Sequence, residues 1–236
     1  MGDVLEQAQS WWQALGRTAS IESQASLWLI ASGLLLGALL AMKPAYRLTR
    51  HIVTFTHEGG HALVGLITGR KLAGIKLHTD SSGVTTTVGP PGLKRVPTSF
   101  AGYPAPAVTA GLLLMAVLSG NSVIAVTIAA ALTAVLLAFT RNVWGFIVTL
   151  LILAGFIALL RWLPVGLVPL FVSAAAGLLG IGAFRDLFNE RRARPKSMTD
   201  VRSIGIALNM PAWFVWLVMF FAVVAGLAFP PALVLI

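Results

Sequence analysis

Cysteine is missing from this chain, and acidic side chains are scarce, at 8 Asp+Glu in 236 residues. The first absence excludes disulfides and thiolate metal ligands, so any bound metal must be held by His, Asp or Glu. Charged residues of either sign make up 11% of the chain against 57% hydrophobic residues, with a mean hydropathy of +0.87. That balance excludes an ordinary soluble domain. The N-terminus does not read as a signal peptide: Asp3 and Glu6 stand where a basic region would be, and no small-residue cleavage pattern follows the first apolar run. Residues 1–24 read either as a cytoplasmic or interfacial lead-in, with Trp11 and Trp12 at headgroup level, or as a loose tail.

What the chain does have is long apolar runs. They lie at about Ala25–Met42, His51–Gly69, Ala101–Ser119, Asn121–Thr140, Asn142–Leu160, Leu163–Phe184 and Pro211–Phe229. Runs of this length and composition read as membrane helices. The expected fold is an all-α polytopic membrane protein with about seven transmembrane helices, in which residues 25–236 form one membrane-embedded domain. The stretches outside the spans are too short for a packed soluble domain, so control is expected from a separate regulatory partner or through processing of the substrate.

The net charge of +9 would raise the question of nucleic acid in a soluble protein. Here the basic residues flank apolar spans and face the lipid bilayer instead, so no nucleic-acid partner is expected. With seven spans, 13 of the 17 Lys and Arg fall on the N-terminal side. The positive-inside rule makes that side cytoplasmic, which puts the N-terminus inside the cell membrane and the C-terminus outside.

The second run holds His57-Glu58-Gly59-Gly60-His61, an H-E-x-x-H pattern. With four His in the chain, chance produces it about once in a thousand such sequences, an estimate of its false-positive risk. Histidines four apart share one helix face, so both imidazoles can reach one metal. Zinc held by two His and a carboxylate leaves a fourth position open for water, and the intervening glutamate can serve as general base. His57 and His61 lie 8–12 residues from the cytoplasmic end of their run, roughly 12–18 Å deep at the helical rise. Ionisable groups at such depth are costly and usually functional. Gly59 and Gly60 weaken the helix, and serve either helix packing or room for a substrate strand.

A third ligand must come from elsewhere. Asp80, Asp186, Glu190, Asp200, His51 and His78 are the candidates. His51 lies on another helix face at the outer end and reads as interfacial. Asp186 and Glu190 neighbour Arg185, Arg191, Arg192 and Arg194 and read as their solvated partners. Asp80 sits in a turn-forming Thr79-Asp80-Ser81-Ser82-Gly83 run. Asp200 opens a short apolar segment and is either a carboxylate ligand or a helix-start acid favoured by the dipole. Spacing alone leaves these open. Residues 70–88 alternate and are rich in β-branched side chains, which predicts a β-hairpin within about 70–90. It either faces solvent or offers an edge to a substrate strand. The Ala101–Ala107 run of small residues and prolines is explained by packing.

Taken together, the H-E-x-x-H motif in an early span, the hairpin after it, Ala101-Gly102-Tyr103-Pro104-Ala105-Pro106, the Arg141-Asn142 turn and Thr199-Asp200 resemble the site-2 protease class of intramembrane zinc metallopeptidases, in a compact, actinobacterial-looking bacterial branch. The likeness extends from about residue 45 to 220. In that branch a Ser-Asp-Ala and a Gly-Ile-Pro usually precede the last span; here they read Thr199-Asp200-Val201 and Asn209-Met210-Pro211. The resemblance implies Zn2+ on His57, His61 and Asp200, Glu58 as the catalytic base, and hydrolysis of peptide bonds in membrane protein substrates. The Asn-Pro-Asp-Gly signature of better-known members is missing, which leaves the group stabilising the oxyanion unassigned. A non-proteolytic metal-binding membrane adaptor would keep the metal without cleavage. A transporter would need several facing polar groups in the other spans, and those spans carry almost none.

Overall fold

A computed structural model describes residues 27–90, 92–191 and 198–235. The expected N-terminal segment 1–24 and two members of the basic cluster, Arg192 and Arg194, lie outside the described residues. The order of elements is α1 (Leu27–Leu40), α2 (Tyr46–Ile67), β1 (Lys71–Leu77), β2 (Gly83–Val88), α3 (Val96–Phe100), α4 (Pro104–Leu118), α5 (Ser122–Ala138), α6 (Val143–Trp162), α7 (Val168–Glu190), α8 (Asp200–Leu208) and α9 (Ala212–Leu235). Short 3-10 turns precede α3 and α7.

All seven expected apolar runs contain a helix, yet they are not seven equivalent crossings. Three helices are long and apolar enough to span a membrane: α6, α7 with its preceding turn, and α9. A fourth span forms if α3 and α4, bent by 45°, are taken as one. The physical reasons differ for the others. The described part of α1 has 14 residues and α5 has 17, about 21 and 26 Å at the helical rise, against a hydrocarbon core of roughly 30 Å. α2 has 22 residues but carries Arg47, Arg50, His51, His57, Glu58 and His61. The last helix runs six residues past the expected Phe229, through Pro230 and Pro231.

α2 is the hub, because its polar groups must be covered by protein rather than lipid. Small residues make that possible. Gly33 and Gly37 of α1 sit against backbone carbonyls of Leu170 and Ala174 on α7, the close approach that such spacing permits. Gly60 of α2 meets the α3–α4 bend: a Cβ there would lie 2.5 Å from that of Ala105 and 2.8 Å from the Ala101 carbonyl. Gly60 of the motif therefore serves packing, whereas Gly59 meets only the Leu136 side chain, at 3.4 Å.

The hairpin is not a solvent-facing appendage. Gly69, at φ +76°, turns the chain out of α2, and β1 and β2 pair antiparallel from Lys71↔Val88 to Leu77↔Gly83. β1 rises about 23 Å, about two-thirds of the roughly 33 Å length of the 22-residue α2, and the hairpin folds back along that helix. Its tip docks there: Thr54 Oγ1 donates to the Ser81 carbonyl at 2.7 Å, and Ser81 Oγ pairs with His51 Nε2 at 3.3 Å. His51 is therefore buried rather than interfacial, with its ring edge-on to Trp144 at 5.7 Å.

The other edge of β1 is closed by the α5–α6 turn. Ile75 N–H donates to Phe139 O and Arg141 N–H to Ile75 O, each at 2.9 Å. The Asn142 side chain clasps Leu77 twice, Nδ2 donating to its carbonyl at 2.6 Å and Oδ1 accepting from its N–H at 3.2 Å. The outer edge of β2 has no backbone partner among the described residues. Replacing Asn142 by Ala orphans both Leu77 groups, at a cost of about 1–3 kcal/mol. Hydrogen exchange should show faster exchange at Leu77 than in the unaltered protein; unchanged protection would mean the clasp does not hold the hairpin.

Candidate metal centre

His57 and His61 project from one face of α2, one turn apart, with ring centroids 4.8 Å apart and an interplanar angle of 81°. Their Nε2 atoms are 3.1 Å apart. Asp200 arrives from a different element. It is the first residue of α8, whose N-cap Thr199 accepts from Arg202 N–H at 3.4 Å and donates its hydroxyl to Glu190 Oε1 at 2.7 Å. The end of α7 thus grips the start of α8. The rest of α8 is seated by Val201 and Ile204, which join a core with Ala107, Leu187, Met219 and Val223. Asp200 Oδ2 reaches His57 Nε2 at 3.4 Å and His61 Nε2 at 3.2 Å.

Three ligand atoms 3.1, 3.2 and 3.4 Å apart match a tetrahedral ion. Bonds of about 2.0–2.1 Å in that geometry separate ligands by about 3.3–3.4 Å. These residues form a group of His and acid side chains able to hold a metal among the described residues. The donor set fits as well. His61 Nδ1 lies 2.7 Å from the Thr98 carbonyl; donating its proton there leaves the Nε2 lone pair free for a cation.

Gly102 makes room for this arrangement. A Cβ at that position would lie 2.5 Å from both Nε2 atoms, so any side chain would displace the imidazoles. Sequence alone assigns the surrounding run to packing; the close approach of Gly102 depends on the α3–α4 bend, which spacing does not reveal.

Glu58 is on the same turn of α2 but is held by the hairpin. Thr85 Oγ1 lies 2.6 Å from Glu58 Oε2 and 3.0 Å from its carbonyl. Gly83 leaves space for the carboxylate: a Cβ there would meet Oε1 at 2.7 Å. Nothing in the sequence marks Thr85 apart from the other threonines of β2. The site opens into a cavity of about 830 Å³, lined by His57, Glu58, His61, Tyr103, Asp200 and the Gly83-to-Thr87 stretch of β2.

The remaining candidates lie apart from the three-atom cluster. Asp80 accepts from Ser82 through its hydroxyl and N–H, at 2.7 and 2.9 Å, and these bonds hold its carboxyl below the usual range. His78 faces Ser82 Oγ at 3.2 Å. Asp186 and Glu190 are largely enclosed rather than solvated. Asp186 pairs with Arg50 of α2 at 3.3 Å, while Glu190 is buried and takes the Thr199 hydroxyl.

Two substitutions test the geometry by metal content after dialysis. Asp200→Asn replaces an anionic donor by a neutral one, and Gly102→Ala pushes the rings apart. Each should weaken retention by about tenfold or more, the scale of disturbed coordination. Full occupancy in Asp200→Asn would remove it as a ligand.

A family model described as Peptidase M50B-like matches residues 30–229. No curated protein and no solved structure matches the chain. The matched stretch runs from α1 into the end of α9 and contains every group assembled around the cavity. With its apolar helices and this match over most of its length, the chain is a membrane protein belonging to the Peptidase M50B-like, site-2-protease-like family.

Proposed function

We propose that this protein is a zinc metalloendopeptidase that hydrolyses peptide bonds of membrane protein segments within the bilayer. The observation that carries the reading is the tetrahedral spacing of His57 Nε2, His61 Nε2 and Asp200 Oδ2, with Glu58 on the same helix turn and a cavity before it. A zinc ion held by those three groups supplies Lewis acidity, polarising a carbonyl and acidifying water.

The chain's own residues then divide the work. Glu58 takes a proton from the attacking water as its oxygen bonds to the peptide carbon. It returns the proton to the nitrogen as the C–N bond breaks, so a carboxylic acid and an amine leave. Thr85 orients the Glu58 carboxylate. β2 offers its unpaired edge to an extended substrate, by strand addition. An intact transmembrane helix hides its carbonyls in internal hydrogen bonds, so the substrate must be unwound locally before it can lie along β2. The hydroxyl-rich lining from Ser81 to Thr87 replaces the water that such a strand would otherwise require.

With all seven apolar runs taken as crossings, the distribution of Lys and Arg favours a cytoplasmic N-terminus and a C-terminus outside the cell membrane.

Glu58→Gln should retain zinc and abolish cleavage. Quantitative membrane proteomics comparing it with the unaltered protein should show uncut substrates accumulating; identical profiles, with zinc bound in both, would favour a non-proteolytic metal-binding role. The absence of native cysteine makes topology directly measurable. A cysteine placed at residue 236 should react with a membrane-impermeant maleimide in intact cells; labelling confined to inverted vesicles would reverse the orientation.

A further inference from the structure

Peptide hydrolysis needs a donor for the negative oxygen that develops on the substrate carbonyl, and preorganised donors at that position are worth much of the rate. Most polar side chains around the cavity have already committed their protons. Thr54 donates to Ser81, Arg50 to Asp186, and His61 lies against Thr98. Arg70 donates to Thr87 and Pro90. Thr85 is engaged with Glu58.

Tyr103 is different. It lines the cavity with the three candidate ligands and Glu58, and its hydroxyl has no hydrogen-bond partner among the described residues. Its ring stands edge-on to His57, with centroids 4.8 Å apart and an interplanar angle of 86°. Among the described residues it is the side chain with an uncommitted hydroxyl that packs directly on a candidate ligand ring. Its backbone is fixed on both sides, by Gly102 against the two Nε2 atoms and by the buried Pro104 that starts α4. The phenol oxygen is not among the fully buried unpartnered atoms; it stays accessible from the cavity and free to donate to a group that enters it.

We infer that Tyr103 is a catalytic hydrogen-bond donor, its hydroxyl serving the oxygen of the tetrahedral adduct that forms at the scissile carbonyl. This rests on the proposed peptidase reading. It fills the role that the missing Asn-Pro-Asp-Gly signature leaves open, from a residue next to the glycine that admits the imidazoles.

The test uses two peptides of one sequence bound to the full-length, zinc-loaded protein in detergent. One carries a tetrahedral phosphinate at the scissile position; the other ends in a thiol, which can ligate the metal but offers no oxygen there. Tyr103→Phe removes only the hydroxyl. It should weaken phosphinate binding by about 10- to 100-fold, the order of one hydrogen bond to a charged group, with thiol affinity and zinc content unchanged. With a labelled, unfolded casein as substrate, kcat should fall and KM should stay. Unchanged phosphinate binding would overturn the assignment. So would equal losses for both peptides, or lost zinc, either of which would make Tyr103 a packing support for His57. If the unaltered protein bound neither peptide, the peptidase reading itself would fail, a result distinguishable from the others.

Discussion

Three electron-rich atoms, two imidazole nitrogens and a carboxylate oxygen, converge to within 3.4 Å of one another inside an apolar bundle. Without a cation or protons between them the nitrogen lone pairs repel, and burial in a low-dielectric interior amplifies that repulsion. The rest of the structure can be understood as what it takes to hold these atoms in place. α2 supplies the histidines at helical spacing. The Thr98 carbonyl fixes the His61 ring. Glu190 and Thr199 fix the start of α8 and with it Asp200. Gly102 keeps the shared space clear.

The hairpin answers a second constraint. Strand edges cannot be left to hydrocarbon, because their N–H and C=O groups would find no partners. The fold covers one edge of β1 with the α5–α6 turn and Asn142 and docks the tip onto Thr54 and His51. Among the described residues the outer edge of β2 has no backbone partner; β2 lies beside Glu58 and along a cavity of about 830 Å³. Unpaired backbone is tolerable where it lines such a cavity, and it gives an incoming strand a template next to the proposed base.

The parts of this arrangement legible in the sequence are those set by local periodicity. His57, Glu58 and His61 share a helix face because 3.6 residues make a turn, and the alternation of residues 70–88 announces a hairpin before any contact is known. Asp200 cannot be singled out by spacing, since it reaches the histidines through the packing of Val201 and Ile204 and through Glu190. Chain position misplaces His51 and Glu190 for the same reason: burial belongs to the fold, not to the order of residues. Hydropathy finds the apolar runs, of which three described helices, or four with the bent pair, are long and apolar enough to cross a membrane. It weighs composition within a window, and neither the shortness of α1 and α5 nor the polar face of α2 enters strongly. Gly102 and Thr85 leave no signal in one sequence, because a close approach and a hydroxyl clasp both depend on what lies opposite.

The central claim concerns the metal, and X-ray absorption spectroscopy of the purified protein tests it most directly. The account predicts one zinc ion per chain with a four-coordinate shell of nitrogen and oxygen at about 2.0–2.1 Å, showing the outer-shell scattering of two imidazoles. A protein that purifies without stoichiometric metal, or an absorption edge and shell fitted by oxygen alone, would contradict it.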